Sequence, residues 1–370
     1  MEVTIEQLMY GNFIKYDQMQ TLTQQAVEYF VNNGFPQAAD ANTINIYIDM
    51  YSMLRSLYAT RSKDYDVVTN VVIAASFINL CAHIRAYYRT RHRVETRIYL
   101  VYSQNQGFVP QKFYYDYQYK WNKTLKDRTD INNLISSNLG LLETLCPYLN
   151  DIFFINTTTE PAVVIYDRIN KDEILYPGIP NFIFTKDQFM YQIPAVKANT
   201  VVFRVSKKEK DDSSFLVSYS NAIYSLMENI NPSSNTLTLA NSISPGLTSL
   251  FMAMTHVPSR DMKSAYNSNK AVSVLYNLIS NKHILNGYNF YSSLQRVQDK
   301  IQPNLQSRTG PEFNILSRFA AIDVIYQHAL YMNTPESKDE HYLVRKIDND
   351  GVREINNKYF KAVPLDLNRL

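Results

Sequence analysis

From residue 42 onward, short apolar runs of period two alternate with longer stretches of helical period. The segment Asn42-Thr-Ile-Asn-Ile-Tyr-Ile-Asp49 sends Ile44, Ile46 and Ile48 to one side, which predicts a strand ending in a carboxylate. Asp64 or Asp66 then caps a helical face made by Val67, Val71, Ala74, Ile78, Cys81 and Ile84. A second strand is predicted over 97–103, helices over about 110–126 and 130–147, and a third strand over 151–155. A helix starts at Glu160, a fourth strand covers 181–185 and ends beside Asp187, and a fifth covers 200–205.

The flanks read differently. Residues 1–40 give short helices, with Ile5, Leu8 and Met9 on one face and Leu22, Ala26, Phe30 and Val31 on another. Beyond 206 a charged loop (207–214) and a short strand (215–218) lead into helices over 245–255, 262–280, 288–300 and 312–332. The tail after Asn333 is charged and weakly periodic. The chain therefore divides into an N-terminal helical extension (1–40), an α/β domain (41–206) and a mainly helical C-terminal region (207–370).

Strands separated repeatedly by helices predict a parallel sheet flanked by helices. Ligands of such sheets gather at the carboxyl ends of the strands. The first carboxylates after strands one, three and four are Asp49, Glu160 and Asp187, and the expectation is that three neighbouring strand tips bring them together.

Composition narrows the function classes. A net charge of +3 is too small to imply nucleic acid by itself, so only local patches bear on it. Tyr outnumbers Trp 29 to 1, which suits half-wet interfaces or reflects an AT-rich genome of the phage and viral kind. Cys81 and Cys146 lie in apolar helical patterns and read as buried thiols of a reducing compartment. No apolar run approaches the ~20 residues that span a bilayer, and no secretory signal is visible. The expected location is the cytoplasm of a host cell, or a virion assembled there, with no membrane partner. Walker, Gly-x-Gly-x-x-Gly, His-Glu-x-x-His and Gly-x-Ser-x-Gly motifs are missing, and nine Gly leave little for phosphate-cradling loops.

One passage is more specific. Thr185-Lys-Asp187-Gln-Phe189-Met-Tyr-Gln192 resembles the strand-to-turn motif Ser/Thr-x-Asp-x-Asp-x-x-Gln of the 5′-nuclease (flap endonuclease, PIN-like) superfamily. Thr185, Asp187 and Gln192 match, and Phe189 replaces the second Asp. The strand ending in Asp49 resembles that family's first metal-ligand strand. Tyr117-Gln-Tyr-Lys120-Trp-Asn122-Lys123 resembles its Tyr-Lys-x-Asn-Arg segment near the helical arch. Glu160-Pro-Ala-Val-Val-Ile165 stands where the family has Glu-Ala-Asp-Asp-x-Ile, keeping the Glu and losing both Asp. Segment 254–263 falls where the family carries a helix-hairpin-helix clamp, without its Gly and Asp.

The resemblance, spanning roughly 45–280, implies a PIN-like fold and a Mg²⁺- or Mn²⁺-dependent 5′-nuclease site on Asp49, Glu160 and Asp187. The departures weaken it. Two hard cations ~4 Å apart need a crowded carboxylate set, whereas three carboxylates suit a single ion at most. Asp49 and Asp187 also have bland readings, as caps of a helix and of a turn. Single-stranded or flap DNA is the implied partner. Arg85, Arg89, Arg91 and Arg93 with interleaved Tyr, and Lys120 and Lys123 beside Trp121, are the candidate contacts. Arg85 to Arg93 can equally be a basic helix end complementing its dipole, and 112–128 a solvated helix face. Two functions follow: a catalytically weakened or inactive nuclease-like protein that binds nucleic acid, or a structural or assembly protein, such as a virion component, reusing the fold.

Overall fold

The structure, a computed structural model, describes residues 16–35, 41–53, 70–103, 140, 142–157, 159–204, 216–227, 233–255, 264–280, 318–319 and 322–331. The arch-like segment with Lys120 and Lys123, the helical pattern over 288–300, the clamp-like segment around His256 and the tail lie outside them.

Six strands form one sheet in the order β3-β2-β1-β4-β5-β6. They are β1 (Thr43–Asp49), β2 (Glu95–Ser103), β3 (Ile152–Thr157), β4 (Asn181–Thr185), β5 (Thr200–Arg204) and β6 (Leu216–Val217). The five strands predicted over 41–206 are all present and all parallel, and the short strand predicted over 215–218 is present as β6. The short sixth runs antiparallel to β5, with Val202 opposite Val217, so the sheet is mixed. β3 pairs with β2, not with β1. The expectation of three neighbouring strand tips is thus corrected: β2 separates the ends of β1 and β3, whose axes stand about 10 Å apart at normal strand spacing.

Strand alternation divides the interior in two. Ile44, Ile46, Ile48, Leu100, Phe182 and Phe203 face one layer, which contains α1 (Tyr16–Asn32) and α2 (Asn70–His92). Residues 16–32 thus form one helix where short ones were expected. Tyr47, Tyr99, Val101, Ile183 and Val202 face the other layer. Its first helix is α3 (Pro161–Leu175), which begins with Pro at its first turn, where no backbone N–H is needed. The later helices α4 (Ala222–Met227), α5 (Ser234–Asn241), α6 (Thr248–Met254), α7 (Ser268–Ser280) and α8 (Val324–Tyr331) continue that layer. No helix among the described residues is long and apolar enough to cross a membrane.

Two polar features lie within these layers. Tyr47, Tyr99 and Phe153 stack across β1, β2 and β3 with ring centroids 5.0 Å apart at each step. Beneath them the buried Asp172 of α3 accepts from Asn45 (3.0 Å), Tyr99 (3.3 Å) and Tyr47 (3.4 Å) and pairs with Arg168 at 3.2 Å. This carboxylate sits toward the amino ends of β1 and β4, since Asn45 also donates to Asn181, the first residue of β4. In α8, His328 reaches the buried Asp167 at 3.0 Å, and Lys171 reaches the same carboxylate at 2.5 Å.

Candidate functional site

The carboxyl ends of the adjacent strands β1 and β4 carry a linked set of polar groups. β1 stops at Asp49, only 2% exposed, because the chain winds into a helical turn at residue 50. Asp49 serves that turn as its cap: Ser52 N–H donates to Oδ1 at 3.3 Å, and Ser52 Oγ donates to the Asp49 carbonyl at 3.3 Å. From β4, Thr185 Oγ1 donates to Asp49 Oδ2 at 2.7 Å. The same hydroxyl accepts from the Asp187 N–H at 3.0 Å and lies 3.1 Å from Ser52 Oγ. Asp187 Oδ1 accepts from Phe189 N–H at 2.9 Å and opens the 3-10 turn Gln188–Gln192. Both capping readings of these acids therefore hold.

Thr185 stands between the two acids, and their charges interact. Burial first, and the Asp187 charge second, push the Asp49 carboxyl up to about 6, against the lowering effect of the Thr185 and Ser52 hydrogen bonds. Two like charges held near each other at strand ends are the arrangement a cation relieves.

Glu160 is buried at the N-cap of α3, where its carbonyl accepts from Val163 N–H at 3.0 Å and Val164 N–H at 3.2 Å. It sits beyond β3, one strand further from Asp49 than expected. Among the described residues, no group of three or more His, Cys, Asp or Glu side chains gathers as a metal site. Asp49 and Asp187 are thus brought together, and Glu160 does not complete a cluster with them.

The positions where the resemblance has aspartates are filled by core residues. Phe189, Ala162 and Val163, which stand where the resemblance has aspartates, are all buried in the core on the α3 side. β2 ends in the buried Tyr102 and Ser103. Asp167, further along α3, belongs to the pairing with Lys171 and His328.

Two roles escaped the sequence reading. Ser52 ties the turn after β1 to β4, since Lys186 N–H donates to its Oγ at 3.2 Å. The Asp49-x-x-Ser52 spacing, that of a helix cap, was its available signal. Gln192 is a buried post rather than a surface residue. Its amide donates to the Phe189 carbonyl at 3.2 Å, and its oxygen accepts from Ser249 Oγ at 2.7 Å and Val324 N–H at 3.3 Å.

The basic helix end has intramolecular partners. Arg89 meets Glu95 with two hydrogen bonds, 2.9 and 2.6 Å, and Arg85 donates to the Asn150 carbonyl and lies 3.8 Å from Asp151. Arg93 follows the helix with a left-handed backbone, φ 55°. Arg85 and Arg89 thus each meet an acid of this chain.

No protein-family model matches the sequence, and no curated protein matches it. Solved structures do. The chain is similar in structure to the D15 protein of phage T5 co-crystallised with metal ions, at TM-score 0.48 and 10% identity over 86% of this chain and 99% of that one. A complex of the phage T5 D15 flap endonuclease with DNA and metal ions gives 0.48, 10%, 86% and 98%. Human GEN1 bound to Holliday junction DNA gives TM-score 0.39 and 13% identity over 91% of this chain and 70% of that one. With TM-scores below 0.5, the function must be read from this chain's own residues.

Proposed function

We propose that the chain binds nucleic acid and one divalent cation, Mg²⁺ or Mn²⁺, at the ends of β1 and β4, and that its nuclease chemistry is weakened. The carrying observation is the Asp49–Thr185–Asp187 linkage, two interacting carboxylates at adjacent parallel strand ends. The donor set fits one hard cation: Mg²⁺ is commonly held by one or two carboxylates and several waters. When bound, such an ion supplies charge stabilisation to a phosphodiester and a more acidic water. Thr185 and Ser52 hold the Asp49 carboxylate in place, and the Phe189 N–H holds that of Asp187. Lys120, Lys123, Arg91 and Arg93 remain the proposed contacts to single-stranded or flap DNA.

The test is cleavage of a 5′-flap DNA with Mn²⁺. Slow, metal-dependent cleavage abolished by Asp187→Ala supports the reading, and no response to Mn²⁺ at millimolar concentration in either cleavage or binding removes the metal from it.

A second reading, an assembly or virion protein without catalysis, is favoured by Phe189, Ala162 and Val163, where core packing occupies positions expected to be acidic. The Tyr surplus fits the AT-rich coding of a virus, which supports a viral origin and a place in the host cytoplasm or the virion. Absence of both DNA binding and Mn²⁺-dependent cleavage, with self-association in light scattering, would favour this second reading.

A further inference from the structure

The two edges of the sheet differ. β6 is two residues long, which limits what can pair with it. β3 is six residues, Ile152-Phe-Phe-Ile-Asn-Thr157, and its pairing among the described residues is with β2 alone. Natural edge strands are guarded by Lys, Pro, bulges or brevity, and β3 has no charged residue and no Pro. Phe153 is 43% exposed although it ends the Tyr47–Tyr99–Phe153 ring stack, and Tyr148, just before the strand, is 84% exposed. Apolar side chains on a strand edge that has no neighbouring strand among the described residues describe a site for another strand.

We propose that the occupant is a second copy of this chain, joined through β3 in antiparallel, two-fold pairing. A two-fold axis through Phe154 sets Phe153 of one copy opposite Ile155 of the other and Ile152 opposite Asn156, so each residue meets one on its own face of the sheet. The flanking charges fit this direction. Arg85 and Arg97 lie at the start of β3, Arg85 against Asn150 and Asp151, Arg97 over the Tyr176 ring. Glu143 lies at the other end, accepting from Asn156 at 3.0 Å. Antiparallel doubling brings the Glu143 end of each copy to the Arg85 and Arg97 end of the other, whereas a parallel arrangement would set like ends together. The interface is independent of whether the strand-end site holds a metal.

Light scattering and sedimentation equilibrium on the full chain test it. The expected result is a dimer at tens of micromolar. Phe153→Lys weakens it at least about thirty-fold, the loss typical of a central interface anchor, while circular dichroism stays unchanged and the melting temperature falls only by what the lost stacking on Tyr99 contributes. Glu143→Lys weakens it less, and adding Arg85→Glu recovers part of the loss. A wild-type monomer, or a dimer indifferent to both Phe153→Lys and Glu143→Lys, overturns the proposal. Should Phe153→Lys disturb folding, the exposed Glu143→Lys and its Arg85→Glu rescue decide it.

Discussion

Replacing Asp49 by Asn should reverse a pH dependence built into the strand-end site. Burial and the Asp187 charge raise the folded carboxyl from 3.8 to about 6. The folded protein therefore holds a proton that the unfolded chain releases between those values, so stability falls as pH rises through this window and stays lower above it. At about 1.4 kcal/mol per pH unit the ionised Asp49 costs the fold about 3 kcal/mol at pH 8. Asparagine keeps the shape and removes the charge. Its amide also disturbs the hydrogen bonds from Thr185 and Ser52, a cost that does not change with pH. Urea denaturation followed by circular dichroism should show the difference between Asp49→Asn and wild type moving by about 3 kcal/mol in favour of the variant from pH 4 to pH 8. Mn²⁺ should narrow that gap at pH 8, by stabilising wild type and not the variant. A difference that stays flat from pH 4 to pH 8 would refute the raised Asp49 carboxyl on which the reasoning rests.

Three other outcomes are expected. Gln192→Leu, which strands the Ser249 hydroxyl and the Val324 N–H and frees the Phe189 carbonyl, should lower stability by about 3 kcal/mol in urea denaturation. Burial tends to raise the Asp167 carboxyl, but His328 and Lys171 outweigh it and hold it below its usual value. Its contribution is therefore present above the unfolded value and lost as pH falls through the folded one, so Asp167→Asn should be destabilising at pH 7 and indistinguishable from wild type in strong acid. In DNA-binding titrations, Arg89→Ala should change affinity less than about two-fold, whereas Lys120→Ala with Lys123→Ala should reduce the magnitude of the salt slope by about 2.

Much of the sheet was legible because its strands are short apolar runs broken by helical periods; the 181–185 segment was bounded to the residue. Adjacency was not legible. A strand's pattern records which faces are buried and not which strand lies beside it, so the ends of β1, β3 and β4 were expected to be neighbours when β2 lies between β1 and β3. The pairing of Asp49 with Asp187 was readable because both follow strands that turned out to be neighbours. The partners of Arg85 and Arg89 were not legible for the opposite reason: clustered charge is visible in a sequence, while the acids that meet it, Glu95 and Asp151, come from the start of one strand and the turn before another. Gln192 matched a motif, but its partners Ser249 and Val324 lie too far along the chain for spacing to reveal them.

Asp172 has a consequence for how this chain tolerates change. Strands buried on both faces are nearly uniform in apolarity, so burial alone scarcely distinguishes one alignment from the next. A shift of β1 or β2 by a single residue would turn Tyr47 or Tyr99 to the opposite face and take a hydrogen-bond donor away from the buried Asp172 carboxyl. The carboxylate thus indexes the central strands, and around it large aliphatic exchanges should be absorbed while its own removal invites misaligned, slowly interconverting sheets.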